Sequence, residues 1–370
     1  MLVRALLPAL AASILLFVPY EPARAQALTV VEEGPAIQVR ATQFIVRSRH
    51  ADRNYLIEVT PPARPPVFPG QKAAAVYALD GGWGVAGAAG WVLGGGGAMS
   101  PAYMVTVGYP QGQPNSREAD LLPRPVARQD GSVARGGRSD RFTRFLLEEL
   151  KPFIEARYPV DPSRAVLFGH SLGGIFTANV LADHPDAFAG YLIASPSVWA
   201  DTTAPDRLRT ISANGQGPRV FVGWGELEEP YMLKGGRELS AALAGRGDRL
   251  ATHVFAGDFH ITYYPAALGE ALPFLLPRQA PLEFPQPVDV PADGLAKLAG
   301  RYALQNGVEI GIAPTSLGLR AAIPGMPPVD LRPRSPTSFF IPDMDVRADF
   351  EPNAMILFVN GDRIDTVRVP

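Results

Sequence analysis

Short apolar segments alternate with segments of helical periodicity along the chain up to about residue 277. Apolar runs of strand length predict β-strands; they lie at residues 55–59, 74–79, 103–107, 165–168, 191–194, 220–222 and 252–255. Between them, Phe142, Phe145, Leu146 and Leu150 recur at the spacing of an amphipathic helix. Residues 174–182 and 266–276 are also predicted as helices. This alternation predicts an α/β protein with a mostly parallel sheet and helices on both faces.

One long stretch interrupts the alternation. Residues 111–138 are polar and rich in Gly, Pro and Arg, and they are predicted as a surface loop. Ser139 follows this stretch and is predicted to cap the amphipathic helix.

The pattern changes after residue 277. A proline-spaced linker, residues 281–291, leads to short apolar runs that flank Asn306-Gly307 and Asn360-Gly361. Asn-Gly between apolar runs is a strong signal for a β-hairpin. We therefore predict an α/β domain over residues 26–280 and a small C-terminal antiparallel β domain over residues 281–370, with no catalytic constellation in the latter.

The first 25 residues have the pattern of an export signal. Arg4 supplies the positive charge, residues 10–18 form the apolar stretch, and Ala23-Arg24-Ala25 gives the small-x-small cleavage pattern. The apolar stretch is too short for a good membrane span, so a retained N-terminal anchor is the less favoured alternative. The chain is predicted to be exported, to the periplasm or the medium of a bacterium, with no stable membrane span after cleavage.

Composition narrows the chemistry further. Hydrophobic residues make up 47% of the chain and charged residues 19%, as in an ordinary globular protein. The formal net charge of −2 gives no reason to expect nucleic-acid binding. The absence of cysteine excludes disulfides, thiolate nucleophiles and cysteine metal sites. We expect no metal and no cofactor, and nothing in the sequence selects an oligomeric state.

The pentapeptide Gly169-His170-Ser171-Leu172-Gly173 matches G-x-S-x-G in a specific context. A predicted strand precedes it and a predicted helix follows it. Strand, sharp turn and helix form the nucleophile elbow of α/β-hydrolases, which predicts that fold and makes Ser171 the candidate nucleophile. The alternative is a glycine-rich helix start with a capping serine.

A serine nucleophile needs a general base, and the chain has five histidines. In α/β-hydrolases the order along the chain is serine, acid, histidine. His260 follows the last predicted strand and precedes the closing helix, where that base belongs. The other four occupy less suitable places: before the first core strand, in the elbow beside the nucleophile, at a helix end and inside a strand (His50, His170, His184 and His253).

The acid is predicted in the loop 223–229, which follows the strand 220–222. Glu228 is the first choice because the acid usually lies a few residues past the strand end. Glu226 is the second choice. Glu229, Asp258 and the absence of any acid remain open.

The oxyanion of an acyl-transfer reaction needs two hydrogen-bond donors. The backbone N–H of Leu172, directly after the nucleophile, is one candidate. The second is the N–H of Gly82, in Asp80-Gly81-Gly82-Trp83 after an early strand. The alternative for this segment is a plain Asp-Gly turn.

Several segments together give the chain a resemblance to a known family. They are residues 77–82, 107–109, 117–123, 145–152, 169–174 and 194–197, with the loop around His260. The chain resembles the bacterial putative esterases that include the enterochelin (siderophore) esterases and, more distantly, esterase D and the mycolyl transferases, over roughly residues 40–277. The resemblance implies an oxyanion donor at Gly82. It leaves the acid open, because some relatives use a Ser–His pair. Residues 298–302 and 338–340 resemble a small β domain appended to some serine-hydrolase and penicillin-binding-like proteins.

These observations predict a serine esterase that hydrolyses small carboxylic esters, siderophore-type esters among them, through an acyl-enzyme on Ser171. Three alternatives stay open: an acyltransferase that uses the same residues, a binding protein on a hydrolase scaffold, and a function carried by the C-terminal domain.

Overall fold

An eight-stranded sheet forms the centre of the larger part of the molecule. The computed structural model describes residues 41–66, 68, 70–81, 84–128, 130–212 and 217–370. The strands up to residue 255 are β1 (Thr42–Ser48), β2 (Arg53–Thr60), β3 (Ala73–Leu79), β4 (Ala102–Gly108), β5 (Val126–Ala127), β6 (Val133–Ala134), β7 (Val160–His170), β8 (Gly190–Ala194), β9 (Arg219–Gly225) and β10 (Leu250–Phe255).

The sheet has the order β1-β2-β4-β3-β7-β8-β9-β10. β1, β2 and β4 pair antiparallel, whereas every neighbouring pair from β4 to β10 is parallel. β5 and β6 form a separate two-stranded hairpin. Parallel strands place their carboxyl ends at one edge, where ligands of open α/β sheets bind.

Helices cover both faces of the sheet. They are α1 (Val85–Gly95), α2 (Arg117–Leu121), α3 (Ser139–Arg144), α4 (Lys151–Glu155), α5 (Leu172–Asp183), α6 (Ala204–Ser212), α7 (Pro230–Leu243) and α8 (Tyr264–Leu275). A π-helical segment, Phe145–Leu150, joins α3 to α4 without a break. α1 and α8 pack on one face, and α3 to α7 pack on the other.

The strand β3 shows why both faces must be covered. Its alternate residues Tyr77 and Leu79 belong to the core beneath α5, whereas Val76 and Ala78 belong to the core beneath α1 and α8. Side chains alternate between faces along a strand, so a strand that is apolar at every position needs an apolar layer on each side. All seven residues of β3 are buried.

The C-terminal residues form a closed antiparallel barrel after the short helix α9 (Ala292–Leu298). Its strands are β11 (Gly300–Leu304), β12 (Glu309–Thr315), β13 (Gly318–Ala322), β14 (Val329–Pro333), β15 (Ser338–Phe340), β16 (Val346–Glu351), β17 (Ala354–Val359) and β18 (Asp362–Val369). The pairing of β11 with β18 closes the barrel, and closure removes the exposed sheet edges. Buried Tyr302, Leu319, Phe339 and Met355 belong to its core.

The turn from β17 to β18 explains the second Asn-Gly signal. Asn360 and Gly361 both have positive φ, at 53° and 85°. Two positive φ angles are what a two-residue type I′ hairpin requires, and Asn and Gly adopt them at low cost.

Buried or partly buried ion pairs join the barrel to the large sheet and its helices. Arg278, just after α8, makes two hydrogen bonds of 2.8 Å to the carboxylate of Asp345 in the barrel. Both side chains are only 10% exposed. Arg164 on β7 donates to Asp362 on β18 over 2.9 Å. The barrel therefore packs directly on the larger part of the molecule.

The α/β-hydrolase architecture and the antiparallel C-terminal domain are confirmed. The stretch 111–138 is more ordered than predicted, because it holds α2 and the β5–β6 hairpin. The predicted cap at Ser139 is wrong: Ser139 is the first residue of α3, and Arg138 stands at the cap position.

The predicted export signal, residues 1–25, lies outside the described residues. None of the helices in the described ranges is both long enough and apolar enough to cross a membrane.

We predict that Arg278→Met lowers the free energy of unfolding by about 3 kcal/mol, because the nearly buried carboxylate of Asp345 loses its bidentate partner and keeps only the more distant guanidinium of Arg64, 3.9 Å away. Urea or thermal unfolding measures the change. The matched control is Arg320→Met, which removes an ion pair whose partners are both 54% exposed and should leave stability unchanged. Equal unfolding midpoints for the two variants would contradict the prediction.

Candidate active site

Ser171 lies at a sharp turn between β7 and α5. Its φ and ψ are 60° and −115°, a strained conformation for a residue with a side chain. Two flanking glycines make the turn possible. A Cβ on Gly169 would lie 2.0 Å from the carbonyl oxygen of Gly173, and one on Gly174 would lie 2.5 Å from that of Ala194. The elbow predicted from G-x-S-x-G is therefore present in the fold.

The base and acid candidates form a direct contact. Nδ1 of His260 lies 2.9 Å from Oε2 of Glu228. The Glu228 side chain is completely buried, whereas that of His260 is 30% exposed. A buried carboxylate that accepts from Nδ1 fixes the tautomer of the imidazole and leaves Nε2 available.

Main-chain contacts hold the two loops that carry this pair together. The N–H of Leu227 donates to the carbonyl of Asp258 over 2.9 Å. Gly225, at the end of β9, leaves room for this approach, because a Cβ there would lie 2.5 Å from the same carbonyl oxygen. The glycine at the strand end thus lets the acid loop (residues 226–229) and the base loop (residues 256–263) run side by side.

Glu228 accepts three hydrogen bonds. Besides His260, the N–H of Gly225 donates to Oε1 over 2.7 Å, and the hydroxyl of Ser195 donates to the same oxygen. Burial by itself raises the pKa of the carboxyl, but the bonds from His260, Ser195 and Gly225 outweigh it, so the pKa of Glu228 lies below its ordinary value. Glu228 therefore stays ionised at neutral pH.

Ser195 and Tyr263 support the acid, and sequence reasoning did not assign them a role. The Ser195 hydroxyl also lies 2.5 Å from the phenol oxygen of Tyr263, and both residues are buried. Burial raises the pKa of Tyr263 well above its ordinary value, so the phenol stays protonated. The available sequence signal was Ala194-Ser195-Pro196-Ser197 at the end of β8, one of the segments that carry the family resemblance.

Among the described residues, no hydrogen bond joins the other acid candidates to the ring of His260. Glu226 is exposed and accepts from the N–H of Gly257 over 2.9 Å. Glu229 is exposed at the start of α7. Asp258 accepts from the hydroxyl of Thr262 over 2.8 Å. Of the predicted carboxylates, the structure places Glu228 against the imidazole.

The elbow and the base loop meet at His170. Nε2 of His170 lies 2.6 Å from the main-chain oxygen of His260, and the two rings are 4.6 Å apart. The hydroxyl of Ser171 lies 3.4 Å from that of Ser197. Among the described residues no hydrogen bond joins the Ser171 hydroxyl to the His260 ring. Bonds between catalytic groups often tighten only when substrate is bound.

One predicted oxyanion donor can be placed. Leu172 is the first residue of α5, and the first N–H groups of a helix have no carbonyl partner within it. Gly82 lies outside the described residues, so its role stays a prediction.

The segment before Gly82 is fixed by Arg117 on α2. The guanidinium makes two bonds to the carboxylate of Asp80, of 2.5 and 2.8 Å, and one of 3.2 Å to the main-chain oxygen of His170. Arg117 thus links the end of β3 to the elbow.

A cavity of about 290 Å³ lies between the β5–β6 hairpin and the segments that follow β8 and β9. Its lining residues are Ala127, Arg128, Asp130, Trp199 and Tyr231. Trp199 comes two residues after Ser197, and Tyr231 comes three residues after Glu228. No group of three or more acidic or histidine side chains in the described ranges is arranged to hold a metal.

Comparison with known proteins gives a consistent result. A family model described as "Putative esterase" matches residues 48–275, which end before the barrel begins. The ferri-bacillibactin esterase BesA of Bacillus subtilis (strain 168) is 32% identical over 272 residues, or 67% of this chain and 92% of its own length.

Solved structures agree. The BES protein from Bacillus cereus is similar with a TM-score of 0.58 and 29% identity, covering 66% of this chain and 99% of its own. The siderophore hydrolase EstB from Aspergillus nidulans, at 23% identity and a TM-score of 0.55, covers 66% of this chain and 98% of its own and shows the same fold.

We predict that Ser195→Ala raises the pKa of Glu228, because it removes one of the hydrogen bonds that favour the ionised carboxylate. The lowered pKa of Glu228 stabilises the fold at pH values above the ordinary pKa of a glutamate. This contribution is lost as the pH falls through the pKa of Glu228 in the folded protein. In the variant this contribution should be smaller, and its loss should be complete at a higher pH. Carbon-13 NMR titration of the carboxyl and acid unfolding measure it. Ser240→Ala is the control, because its hydroxyl bonds Thr252 and not Glu228; an unchanged titration in Ser195→Ala would refute the assignment.

Proposed function

Because this chain belongs to the putative esterase family, and is therefore a carboxylic ester hydrolase, we propose that it acts through a covalent intermediate on Ser171. In this proposal His260 is the general base and Glu228 orients it. The observation that carries the proposal is the contact of the fully buried Glu228 carboxylate with Nδ1 of His260, beside a serine held in the strained elbow.

The first half-reaction forms the acyl-enzyme. Nε2 of His260 takes the proton of the Ser171 hydroxyl as Oγ attacks the ester carbonyl. The N–H groups of Leu172 and Gly82 stabilise the resulting oxyanion. The C–O bond to the alcohol then breaks, and the imidazolium returns its proton to the departing alkoxide.

The second half-reaction releases the acid. His260 takes a proton from water, hydroxide adds to the acyl carbonyl, and the bond to Ser171 Oγ breaks as the proton returns to the serine. The ionised carboxylate of Glu228 stabilises the imidazolium in both halves.

We further propose siderophore-type esters as substrates. Relatives of this chain are named ferri-bacillibactin esterase, siderophore triacetylfusarinine C esterase and siderophore enterobactin esterase. The cavity lined by Trp199 and Tyr231 could accept a planar ring of such an ester, because aromatic side chains favour stacking.

Export remains part of the proposal and rests on the sequence pattern of residues 1–25. Mass spectrometry of the protein recovered from cell fractions tests it. A mature N-terminus at Gln26 outside the cytoplasm supports export, and an intact Met1 in the cytoplasm refutes it.

Ser171→Ala and His260→Ala should each lower kcat for a short-chain p-nitrophenyl ester by on the order of 10³-fold or more, because each removes a group that acts in both half-reactions. His253→Ala, at an exposed position on β10, is the matched control and should behave as wild type. Near wild-type turnover by His260→Ala would show that the base is assigned wrongly. Free acid as the product, with and without an added alcohol, separates hydrolysis from acyl transfer.

Glu228→Gln should lower kcat by on the order of 10²-fold or more, since a neutral amide stabilises the imidazolium less and can hold the wrong tautomer. Glu226→Gln is the matched control, because it makes the same change of carboxylate to amide. It should leave kcat almost unchanged, since in the described part of the chain Glu226 bonds only the N–H of Gly257. Equal, small effects of the two substitutions would instead favour a Ser–His pair.

A siderophore trilactone should be cleaved with a higher kcat/KM than p-nitrophenyl acetate. Trp199→Ala should reduce kcat/KM for the trilactone more than for the acetate, because the small acyl group does not fill the cavity. Val133→Ala, at an exposed position on the β5–β6 hairpin, serves as the control. No turnover of the trilactone by an enzyme active on the acetate would reject this substrate class and leave the serine mechanism standing.

A further inference from the structure

His170 is a buried polar residue that the reaction described above does not use. It is 6% exposed and lies among aromatic rings: those of His260, Tyr264 and Tyr263 are 4.6, 5.7 and 6.0 Å away between centroids. A polar group buried in this way costs free energy unless it is hydrogen-bonded. Its bonding partners therefore indicate what it does.

The partner of the His170 side chain is the base itself. A carbonyl oxygen can only accept, so Nε2 of His170 must carry a hydrogen and donate it to the main-chain oxygen of His260 over 2.6 Å. His260 is then held at two points. Glu228 holds the ring through Nδ1, and His170 holds the main chain.

Three other hydrogen bonds of the base loop run within the loop or to Glu226 in the acid loop. The hydroxyl of Thr262 accepts from the N–H of Phe259 and donates to Asp258, and the N–H of Gly257 donates to the exposed Glu226. None of these three ties the loop to the elbow. The bond from His170 does, and it starts from the residue next to Ser171.

The position of His170 is itself well determined. It pairs with Ala194 at the end of β7, and its main-chain oxygen accepts from Arg117, which also binds Asp80. His170 therefore connects three places. It is linked through Arg117 to Asp80 at the end of β3, it precedes Ser171 in the turn, and it bonds the base loop at His260.

The charge state of His170 suits this place. Burial, and then the nearby His260, lower the pKa of His170 to about 4. His170 is therefore neutral at neutral pH, and it does not repel the imidazolium that forms on His260 during the reaction.

We propose that His170 is a positioning residue, which sets the distance between Ser171 and His260 by bonding the main chain of the base loop. This inference rests on the proposed role of His260 as general base.

Two amide substitutions of similar polarity test it. The amide nitrogen of His170→Gln reaches about as far from the backbone as Nε2 does, whereas that of His170→Asn is too short. His170→Asn should lower kcat by about 10²-fold with little change in KM, the scale on which a small misplacement of catalytic groups acts. Its rate of inactivation by a serine-reactive phosphonate should fall in parallel. His170→Gln should restore most of both rates.

The outcomes separate this inference from the proposed mechanism. Thermal unfolding of each variant shows whether it is folded at the assay temperature. If His170→Gln and His170→Asn are equally impaired, or both are as active as wild type, His170 does not position the base through this bond. His260→Ala, assayed beside them, tests the mechanism alone. If His260→Ala is inactive while His170→Asn is fully active, the mechanism stands and the positioning role fails.

Discussion

The buried carboxylate of Glu228 is the constraint around which the site is arranged. A carboxylate with no solvent exposure must have its charge balanced by donors, and here these come from β9, from the end of β8 and from the base loop. Each donor has a fixed place only because its strand is fixed in the parallel sheet. The chemistry of the site therefore depends directly on strand register.

That dependence explains why so much of the site lies at strand ends. β3 ends before Asp80, β7 before Ser171, β8 before Ser195 and β9 at Gly225. In a parallel sheet these ends lie along one edge, so short loops bring nucleophile, acid and supporting groups together. The strained turn at Ser171 is tolerated because packing on both faces over-determines its position.

The barrel packs on this arrangement, and none of the proposed catalytic residues lies in it. Its closed sheet has its own apolar core, and the nearly buried Arg278–Asp345 pair joins it to the end of α8. α8 begins four residues after His260, so the element that packs the barrel also follows the base loop. The family model ends before the barrel, which agrees with a catalytic unit complete in the sheet and its helices.

The sequence by itself determined the fold class and the chemical type of the site. Alternating strand and helix periods, the G-x-S-x-G segment between them and the Asn-Gly turns are local signals, and each reflects backbone sterics or burial over a few residues. Closure of the barrel, the antiparallel edge of the sheet and the hairpin within residues 111–138 came only from the tertiary structure. The same holds for the contacts of Ser195, Tyr263, Arg117 and His170. The sequence ranked Glu228 ahead of Glu226, but only the structure shows that Glu228 contacts His260. The physical reason is that these features are contacts between residues far apart in the chain: two glutamates two positions apart look alike in sequence, and only packing decides which of them is buried against the imidazole.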